Sequence, residues 1–514
     1  MGEKNKFIYH FQKSSIMSNI KIVLLFSLFF FLASVQALKA QDYPVIYEGP
    51  DMIGDMIYVD DDTFVAVMGF SSEKKMGIVK MNEDGEVLGV VFISDMEQED
   101  IIRIHELIRL PDGDFGIYYL TREEDIVRLN LAKVNQDLDL TSVVFDWEGA
   151  DYNIGNPFGD FDNYLMDGDG QTVFSYVPVH PATTDPVSLR LLKFDGEGNL
   201  DCERLMEDIY INALGGNYMV NAADRSGYRL VLTEGPTDMK HDCHFLDKDL
   251  NTVMVKRFID EPIYPWVCGD GKFYLNPYNG KTYATAQWSV PAYNQNPAIE
   301  LDILHAVFDE DFNMLNHAWS IHTPRVGDFI GDQPADLRAI DFSPDGKVYA
   351  LASMDVGIGI DQNRDHNFYL AMFDENLNKE WEVLYHNNDY AGAGLSVCAS
   401  PKGGCLVAID GFDRNASVSE SQYRLLRITE STILGIGEAE ASTAAKAWPN
   451  PTTGTVRIDG EDVKEIQVFN QLGQCLKTAQ DTNEVCLEGL PQGLYLLRIT
   501  LEGGKVFSDK VVKE

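Results

Sequence analysis

One phrase recurs along this chain and constrains its fold more than any other feature. Residues 304–319 read LHAVFDEDFNMLNHAW, which is an apolar run, a polar turn DEDFN and a second mixed run. Asp, Asn and Gly favour tight turns because their side chains bond local backbone or because they tolerate positive φ, so two β-rich runs around such a turn predict a hairpin. The other copies are GIVKMNEDGEVLGVVF, LAKVNQDLDLTSVVF, LLKFDGEGNLDCERL, HFLDKDLNTVMVKRF, YLAMFDENLNKEWEVLY and a shortened YRLLRITES.

A second marker, a turn that usually contains glycine, alternates with the first. Its glycines at positions 113, 170, 227, 280, 346 and 404 are 57, 57, 53, 66 and 58 residues apart, and an earlier copy, YVDDDTFVAVMG, lacks the glycine. A period near this size with four short strands is typical of a propeller blade. We name the four strands of a repeat A to D. The A–B turn contains the glycine, and the C–D turn is the phrase DxxhN, in which h is a hydrophobic residue, as in DEDFN. Seven turns of each kind predict an all-β fold, a seven-bladed β-propeller.

The two ends of the repeat region predict how the ring closes. The seventh repeat has runs for strands A, B and C but no convincing strand D. Residues 43–54, YPVIYEGPDMIG, are similar to the end of strand D in the second repeat, VVFDWEGADYNIG. We therefore expect the N-terminal strand to complete the last blade, which removes an exposed sheet edge and ties the two ends together.

The first forty residues contain an export signal. Lys21 precedes an apolar run at 22–32, which is followed by small residues in ASVQALKAQ. A basic start, a short apolar core and a small-residue exit predict a secretory signal peptide that is cleaved after Ala37 or Ala40, with Met17 as an alternative start. The run is short for a membrane span, so no transmembrane span is expected in the mature chain. A buried core helix is the alternative.

Charge and cysteine usage narrow the function classes. Asp and Glu number 81 against 41 Lys and Arg, a formal charge of -40. Such a surface repels phosphate backbones, so nucleic acid is not an expected partner, and solubility outside the cell or cation binding explains it. Seven cysteines are too few for a disulfide framework, and most are expected to be small buried residues. Cys475 and Cys486 lie in one small module, and their pairing is left open.

Candidate ligand residues lie in the long B–C and D–A connections, because long loops on a rigid scaffold commonly carry binding groups. They are the aromatic and basic residues Trp147, Tyr152, Tyr264, Trp266, Tyr293, His322, Arg325 and Tyr390. Aromatic rings near the mouth of a ring can stack on sugars, peptides or flat ligands. The alternative for each residue is that it packs its loop against the protein.

One loop contains oxygen ligands at alternating positions. Asp361, Asn363 and Asp365 stand where a calcium loop has its first three ligands. However, His366 replaces the turn glycine and Met372 stands at the twelfth position, where a calcium loop has a bidentate glutamate. An Asx-rich hairpin is the alternative, and no cofactor other than this calcium ion is considered.

Motifs of known catalytic chemistry are missing from the sequence. It contains no GxSxG, phosphate loop, HExxH or CxxC. Acidic residues are numerous, so a pair of carboxylates at the mouth of the ring would suit a polysaccharide- or peptide-degrading hydrolase or lyase. A non-enzymatic propeller that binds a protein or glycan through its long-loop face is favoured over this alternative. A structural envelope component is the third possibility.

The last part of the chain differs in composition. Residues 431–446 are rich in Ala, Glu, Ser and Thr and indicate a linker, whereas 447–514 alternate short strands and tight turns and predict a small β-sandwich. The block resembles the type A C-terminal sorting domain of the Bacteroidetes type IX secretion system. The residues that carry the resemblance are Pro449, Asn450, Pro451, Gly454, Gly473, Leu490, Pro491, Gly493, Tyr495, Lys510 and Lys513.

This resemblance implies a route and a partner. A signal peptide would deliver the chain to the periplasm, and the sorting domain would engage the type IX secretion machinery for passage across the outer membrane to the cell surface or the medium. The repeat region also resembles β-propeller proteins in general, because FSPDGKVYALAS is similar to the turn of WD-like and TolB-like propellers. We therefore expect four segments: 1–40 upstream residues and signal peptide, 41–430 propeller, 431–446 linker, and 447–514 sorting domain.

Overall fold

The computed structural model describes residues 45–70, 75–93, 101–123, 126–148, 163–177, 187–209, 217–234, 240–259, 268–289, 301–320, 332–354, 367–385, 390–413, 421–429, 446–459, 463–469, 475–480, 482–501 and 506–513. Contacts divide the chain into two units, residues 1–42 and 43–514, and the first lies wholly outside these ranges. The predicted signal peptide and most of the predicted linker therefore fall outside the described residues. Among the residues that are described, no helix is long and apolar enough to cross a bilayer.

All the regular structure described in the repeat region is β-structure. Sheet 1 contains β2 (Met52–Tyr58), β3 (Thr63–Phe70), β4 (Lys75–Asn82) and β5 (Val87–Phe92); sheet 2 contains β6 (Ile101–Arg109), β7 (Phe115–Glu123), β8 (Ile126–Val134) and β9 (Leu140–Val144); sheet 3 contains β10 (Asn163–Met166), β11 (Thr172–Tyr176), β12 (Val187–Phe194) and β13 (Leu200–Ile209). Sheet 4 contains β14 (Asn217–Asn221), β15 (Gly227–Glu234), β16 (Lys240–Asp247) and β17 (Thr252–Ile259); sheet 5 contains β18 (Cys268–Leu275), β19 (Thr282–Ser289), β20 (Leu301–Phe308) and β21 (Met314–Ser320).

The last two sheets of this region depart from the simple pattern. Sheet 6 contains β22 (Gln333–Pro334), β23 (Ile340–Phe342), β24 (Val348–Met354), β25 (Asn367–Phe373) and β26 (Lys379–Tyr385); sheet 7 contains β27 (Tyr390–Ala399), β28 (Cys405–Asp413), β29 (Ser421–Ile428) and β1 (Val45–Gly49). In sheet 6 the first strand is split into two pieces that both pair with β24. In sheet 7 the N-terminal strand β1 pairs antiparallel with β29, with Val45 opposite Leu426 and Gly49 opposite Tyr423, as the sequence predicts.

The C–D turns form because an Asp or Asn side chain closes them. Asp247 Oδ1 accepts hydrogen bonds from the backbone N–H groups of Asp249 and Asn251, at 2.9 and 2.8 Å. The same bonds recur at Asn135, Asp195 and Asp374. A residue of left-handed backbone conformation follows in the turn, which produces a β-bulge in the ladder. This residue is leucine or phenylalanine in four turns: Leu138, Leu250, Phe312 and Leu377, with φ of 65°, 62°, 56° and 59°.

An apolar residue at positive φ needs compensation, because this conformation costs about 1–2 kcal/mol for an L-residue with a Cβ atom. Leu250 is 2% exposed and lies in a core that joins sheets 3 and 4. Phe312 lies likewise between sheets 4 and 5, where its ring stacks on Phe308. Burying such a side chain contributes about 1.5–3 kcal/mol, so packing against the preceding sheet offsets the backbone strain.

Lysines add a polar contact at the same turns. A lysine of one sheet donates to a backbone carbonyl in the C–D turn of the next sheet, as in Lys80 to Gln136 at 3.1 Å, Lys133 to Gly196 at 3.4 Å, Lys193 to Lys248 at 2.7 Å and Lys256 to Asp311 at 2.6 Å. The C–D turns of sheets 2, 4 and 5 thus receive both an apolar and a polar contact from the sheet before them. These contacts order sheets 1 to 5 in sequence.

Sheet 7 makes the equivalent contacts with sheet 1. Glu83, in the C–D turn of sheet 1, pairs with Arg427 of sheet 7 at 3.2 Å and accepts a hydrogen bond from Ser400 at 3.0 Å. A Cβ atom at Gly85 of the same turn, where φ is 82°, would lie 2.2 Å from the carbonyl oxygen of Ile46 in β1. Only glycine fits there, because β1 passes so close to the turn.

Apolar cores join each sheet to its neighbour. Side chains that share a core across two sheets are Val67 with Ile117, Tyr118 with Phe174, Leu189 with Leu230, Val231 with Ala284, Tyr283 with Phe342, Leu351 with Val397, and Met56 with Leu406. The last pair joins sheet 1 to sheet 7. The first strands also lie beside one another, β2 beside β6 and β27, and β14 beside β10 and β18. The arrangement is propeller-like, with the first strand of each sheet innermost.

The C-terminal module has two antiparallel sheets. One contains β30 (Lys446–Trp448), β31 (Thr455–Asp459) and β34 (Glu484–Cys486); the other has the order β33 (Cys475–Gln480), β32 (Val463–Phe469), β35 (Gly493–Leu501) and β36 (Val506–Lys513). Val456 and Val485 of the first sheet share a fully apolar core with Ile466, Leu497 and Val511 of the second. Two sheets around one core form the β-sandwich that the alternating sequence predicts. Cys486 is a free thiol, and the side chain of Cys475 lies outside what the structure describes.

The C–D turn of sheet 4 provides a test of the balance between strain and burial. We expect Leu250→Ala to lower the free energy of unfolding by about 3 kcal/mol, because it empties a core site while keeping the strained conformation. Leu250→Gly should cost about 0.5–1 kcal/mol less than the alanine variant, since glycine adopts positive φ freely. Urea unfolding measures both changes.

The matched control is Leu205→Ala, at a leucine that is 50% exposed on β13, which should change the free energy of unfolding by less than about 0.5 kcal/mol. A glycine variant less stable than the alanine variant would contradict this account of the turn.

Candidate functional site

Charged residues interrupt the innermost strands, which are otherwise apolar. They are Asp55 on β2, Glu106 on β6 and Lys272 on β18, and Arg338 lies between β22 and β23. Together with Tyr218 on β14, Tyr274 on β18 and Ser396 on β27 they form what we call the central cluster. Six of the seven sheets contribute a residue to it, so it lies where the first strands converge.

Arg338 bonds to residues of two other sheets, 1 and 2. Its guanidinium group donates to both carboxylate oxygens of Asp55, with Nη2–Oδ2 at 2.6 Å and Nε–Oδ1 at 3.0 Å, and to the carbonyl oxygen of Leu107 at 2.5 Å. Asp55 also accepts from the N–H of Leu107 at 2.8 Å and from the hydroxyl of Ser396 at 2.5 Å. Asp55 is fully buried, and these four donors replace its hydration. The ion pair therefore joins sheets 1, 2, 6 and 7.

The segment that carries Arg338 is the one that splits the first strand of sheet 6. Its carbonyl oxygens at Ala335, Asp336 and Leu337 all accept from Lys272 Nζ, at 2.8 and 3.0 Å for the first and third. The hydroxyl of Tyr274 accepts from the N–H of Ala339 at 3.0 Å. Ala335 and Ala339 at the ends of the segment bond to Leu351 of β24, whereas the backbone groups between them bond to sheets 5 and 7, so the segment departs from the sheet.

Glu106 lies next to this segment and contacts the opposite side. The hydroxyl of Tyr274 in sheet 5 donates to Glu106 Oε1 in sheet 2 at 3.2 Å. Tyr218 in sheet 4 packs beside Tyr274, with ring centroids 6.0 Å apart. The first contact connects sheets 2 and 5, which are not neighbours along the chain, and the second connects the neighbouring sheets 4 and 5. Glu106 and Tyr218 are only partly buried, whereas Asp55 is fully buried, so solvent reaches this side of the cluster.

The surroundings of Glu106 alter its acidity. Burial raises the pKa of Glu106 to about 7, since the positive charges of Arg338 and Lys272 offset burial only in part and the negative charge of Asp55 adds to it. Burial and the neighbouring Glu106 carboxylate also hold the pKa values of Tyr218 and Tyr274 well above 10, so both hydroxyls stay protonated. A carboxyl group that exchanges its proton near neutral pH is suited to acid–base chemistry or to proton-linked binding.

A second pair of carboxyl groups lies near the cluster. Burial, followed by the negative charge of Asp336, raises the pKa of Asp410 on β28 to about 6. Asp336 is exposed and belongs to the segment that carries Arg338, and its N–H donates to the carbonyl oxygen of Gly394 at 3.4 Å. Asp410 of sheet 7 is thus a second carboxyl group of raised pKa, next to the segment that carries Arg338.

Two of the ligand residues predicted from sequence are described, and both are buried. Trp147 packs edge-to-face on Phe174 and Tyr176, with ring centroids 5.0 and 5.3 Å away. The hydroxyl of Tyr390 donates to the carbonyl oxygen of Gln422 at 2.7 Å, and the guanidinium of Arg424 lies 3.9 Å from its ring centroid. Both placements agree with loop packing, the alternative that the sequence left open. Six other candidates lie outside the described residues: Tyr152, Tyr264, Trp266, Tyr293, His322 and Arg325.

The candidate calcium ligands Asp361, Asn363 and Asp365 also fall outside the residues that the structure describes. Within the described ranges, no group of three or more His, Cys, Asp or Glu residues is arranged to hold a metal ion. Calcium binding by this loop stays a prediction.

The sorting residues, by contrast, converge although they are distant in sequence. The Asn450 side chain accepts from the N–H of Val512 at 3.0 Å, and the N–H of Thr452 donates to the Val512 carbonyl at 2.8 Å. The Trp448–Pro449 and Asn450–Pro451 peptide bonds are both cis. The Pro-Asn-Pro segment is therefore bound to the final strand β36.

The Leu-Pro-x-Gly-x-Tyr segment is bound at the same end of the module. The hydroxyl of Tyr495 donates to the Pro491 carbonyl at 2.6 Å, and Lys513 Nζ donates to the carbonyl of Leu490. Gly493 pairs with Lys513 in the β35–β36 ladder, and Lys510 pairs with Leu496. Gly454 donates its N–H to Thr452 Oγ1 at 3.1 Å, and Gly473 lies outside the described residues. These residues assemble one structural unit around the last strand.

The C-terminal module is similar to a known protein family. Residues 446–514 match the model of the secretion system C-terminal sorting domain. The chain ends in a secretion sorting domain. It is a protein sorted by the type IX secretion system, and its destination is the cell surface or the medium. No curated protein matches the chain.

Solved structures with some likeness differ widely in function. They include the extracellular domain of a putative hybrid two-component system from B. thetaiotaomicron (TM-score 0.38, 10% identity, 90% of this chain and 55% of that chain) and prolyl oligopeptidase B from Galerina marginata (0.37, 10%, 88% and 56%). A DUF4221 family member from Bacteroides vulgatus aligns with a TM-score of 0.32 at 10% identity, over 75% of this chain and 97% of that one. The chain spans about half the length of the first two. Nothing about function follows from scores of this size.

The central cluster is what the sequence analysis missed. Its signal was present, because a charged residue in the first strand of a blade must face the convergence of strands or remain buried without water. Asp55 in GDMIY and Glu106 in HEL are such residues, and Arg338 in LRAI lies between the two pieces of the first strand of sheet 6. Their mutual contacts span up to 283 positions in sequence, which no local pattern reveals.

We expect Glu106→Gln to change the pH dependence of stability. The raised pKa means that the folded chain holds a proton that the unfolded chain releases near pH 4.5, so the wild type loses stability as pH rises from about 4.5 to 7. Glutamine cannot ionise and keeps the acceptor for Tyr274. The variant should match the wild type at pH 4.5 and exceed its free energy of unfolding by about 3 kcal/mol at pH 8.

Urea unfolding across this pH range measures the difference, with the exposed Glu207→Gln as the control that should follow the wild type. A constant difference between Glu106→Gln and the wild type at every pH would contradict the assignment.

Proposed function

We propose that the protein is an exported seven-bladed β-propeller, closed by its N-terminal strand, that binds a protein or a glycan through its long-loop face. The observation that carries the export half is the sorting domain at 446–514. A signal peptide in residues 1–40 delivers the chain to the periplasm, and the type IX machinery moves it across the outer membrane, as in Bacteroidetes. The propeller, residues 41–430, is the cargo, and 431–446 link it to the sorting domain at 447–514.

Three observations support a closed ring of seven blades. The β1–β29 pairing supplies the fourth strand of sheet 7. The C–D turn of sheet 1 contacts sheet 7 as the other turns contact the sheet before them, through Glu83 and Arg427. Met56 and Leu406 share a core between sheets 1 and 7. In a closed ring no sheet lacks a neighbour, so every blade buries both faces.

Binding through one face is supported by the difference between the two sets of connections. The A–B and C–D turns are short and hold themselves by Asx hydrogen bonds, as at Asp195 and Asp374. The B–C and D–A connections are longer and differ in sequence between blades, for example between Val144 and Asn163 and between Met354 and Asn367. Variable loops on a rigid scaffold are commonly where ligands bind.

A second candidate function is a hydrolase or lyase acting on polysaccharide or peptide. The observation that favours it is Glu106 in the central cluster together with the carboxyl pair Asp336 and Asp410 of sheets 6 and 7, with the pKa values of Glu106 and Asp410 raised to about 7 and about 6. Carboxyl groups of different acidity can divide the roles of acid and base. Release of reducing sugar ends or new amino groups from polymer substrates would distinguish this activity from binding.

Export can be tested on the sorting domain itself. We expect deletion of residues 489–514 to leave the chain in the periplasm, because it removes β35 and β36 together with the Pro491 segment. Lys513→Ala should reduce export in part, since it loses only the bond to the Leu490 carbonyl. Cell fractionation and surface immunolabelling measure the outcome.

Lys464→Ala, at an exposed lysine on β32, is the matched control and should be exported normally. Surface display of the truncated chain at the wild-type level would defeat the sorting proposal.

Ring closure predicts that the N-terminal strand stabilises a blade nearly four hundred residues away. We expect deletion of residues 45–49 to lower the urea midpoint, because β29 loses its ladder partner and Arg424 loses its 3.0 Å ion pair with Glu48. A synthetic peptide of residues 41–51 added in trans should restore the midpoint, and a scrambled peptide should not. Unchanged unfolding of the deletion variant would indicate an open array.

Binding is tested by presenting the full chain to a glycan array and to surface extracts, followed by isothermal titration of any binder. The proposal expects at least one saturable ligand whose binding is lost when the long connections are shortened. If no glycan and no protein binds, while deletion of the gene disrupts surface assembly, the chain is a structural envelope component instead.

A further inference from the structure

The carboxyl group of Glu106 differs from that of Asp55, the other acidic residue of the central cluster. Asp55 is saturated, because Arg338, Ser396 and the N–H of Leu107 supply donors to both of its oxygens. Glu106 has one hydrogen bond within the described part of the chain, from Tyr274 to Oε1, and Oε2 has none there. Asp55 is inaccessible to solvent, whereas Glu106 is partly exposed. One carboxyl group therefore serves the fold and the other has a free oxygen.

The free oxygen lies beside an aromatic pair that holds the carboxyl group in place. Tyr274 is 9% exposed; its hydroxyl accepts from the N–H of Ala339 at 3.0 Å and shares its single proton between Glu106 Oε1 at 3.2 Å and the carbonyl of Leu337 at 3.3 Å. Tyr218 is partly exposed and its ring is inclined at 59° to that of Tyr274. Small-ligand sites commonly combine a fixed polar group that has a free hydrogen-bonding position with an accessible aromatic ring.

We propose that Glu106 contacts a ligand in a site at the convergence of the inner strands. Its free oxygen forms a hydrogen bond with a hydroxyl group of a neutral saccharide. The site deepens the binding function proposed above and rests on it. Tyr274 is its positioning residue, and Tyr218 supplies a second hydroxyl and a ring face.

The ligand class follows from charge and from the groups available. A formal charge of -40 on the chain repels acidic glycans, so an uncharged saccharide is favoured over a uronic acid polymer. A sugar hydroxyl both donates and accepts, as does a protonated carboxyl group, and tyrosine can pack on the apolar face of a sugar ring. The two positive charges nearby are already occupied, since Arg338 binds Asp55 and Lys272 binds three carbonyls. No free cation in the described cluster is therefore available to an anionic ligand.

The same groups make binding dependent on pH. Glu106 faces Arg338 and Lys272, whose positive charges lower its pKa, and Asp55, which raises it, while Tyr274 donates to it and Tyr218 lies next to Tyr274. Burial outweighs the positive charges, and the proton of Glu106 is released near pH 7. Below that pH the free oxygen is a donor, and above it the site loses this donor and gains a charge.

The test uses the full chain and a panel of neutral oligosaccharides on an array, followed by titration calorimetry of the best binder at pH 6 and pH 8. The wild type should bind about five- to tenfold more weakly at pH 8, because the protonated fraction of a carboxyl group with a pKa of about 7 falls about tenfold between these two pH values. Glu106→Gln keeps a donor and an acceptor, so its affinity should stay within about threefold of the wild type at pH 6 and should not change with pH. Glu106→Ala should lose at least tenfold at pH 6. The exposed Glu207→Gln is the control and should behave as the wild type.

Folding is checked separately by urea unfolding of each variant at pH 6, so that a loss of binding in Glu106→Ala counts only with a folded chain. If that variant is unfolded, the pH profiles of the wild type and Glu106→Gln decide. Saccharide binding that is unaffected at Glu106 and independent of pH would overturn this inference and leave the proposed binding function intact. Capture of peptides without any neutral saccharide would also overturn it, and absence of every binder would overturn both.

Discussion

The contact between each C–D turn and the sheet before it is the interaction on which the repeat region depends. Leu250 illustrates it: the residue takes a backbone conformation that leucine avoids, and it does so because its side chain is buried in the core of sheet 3. Lys193 of the same preceding sheet donates to the carbonyl of Lys248 in the turn. A hairpin with such a turn is strained alone and stable only beside a neighbour. Assembly of the sheets is therefore part of the formation of each turn.

This dependence gives the termini of the array special importance. A linear array would leave the turn of sheet 1 without a preceding sheet and the last sheet without a fourth strand. In the structure, Arg427 and Ser400 approach Glu83 in that turn, and β1 pairs with β29. Gly85 and Gly198 stand where four other turns have leucine or phenylalanine. At Gly85 the backbone of β1, the strand that joins the two ends, occupies the space of a side chain.

The place where the inner strands converge contains both stabilising contacts and a group suited to chemistry. Arg338 and Asp55 form a buried ion pair whose partners come from sheets 6 and 1, and removing either would leave an uncompensated charge. Glu106 lies beside this pair but retains solvent access and an open oxygen. A fold that must bury charge to hold its centre thus also places one group of altered acidity there. The motif residues of the sorting module have a structural role instead, since Asn450 binds Val512 of the last strand, Lys513 of that strand binds the Leu490 carbonyl, and Tyr495 binds the Pro491 carbonyl.

Much of the architecture was predictable because it is local. The hairpins follow from Asx turns, such as the one at Asp247, that depend on residues within four positions. The N-terminal strand was predictable because its sequence is similar to that of a strand D, and the sorting domain because its motif is specific. The roles of aromatic residues were harder to predict, since the sequence does not distinguish a ring that faces a ligand from one that packs in a core, as Trp147 and Tyr390 do. The sequence by itself determined the strands, their turns, the repeat and the export route. Only the tertiary structure decided that Asp55, Glu106 and Arg338 meet, because Coulomb and hydrogen-bond contacts between distant positions depend on how the sheets pack and leave no period in the sequence.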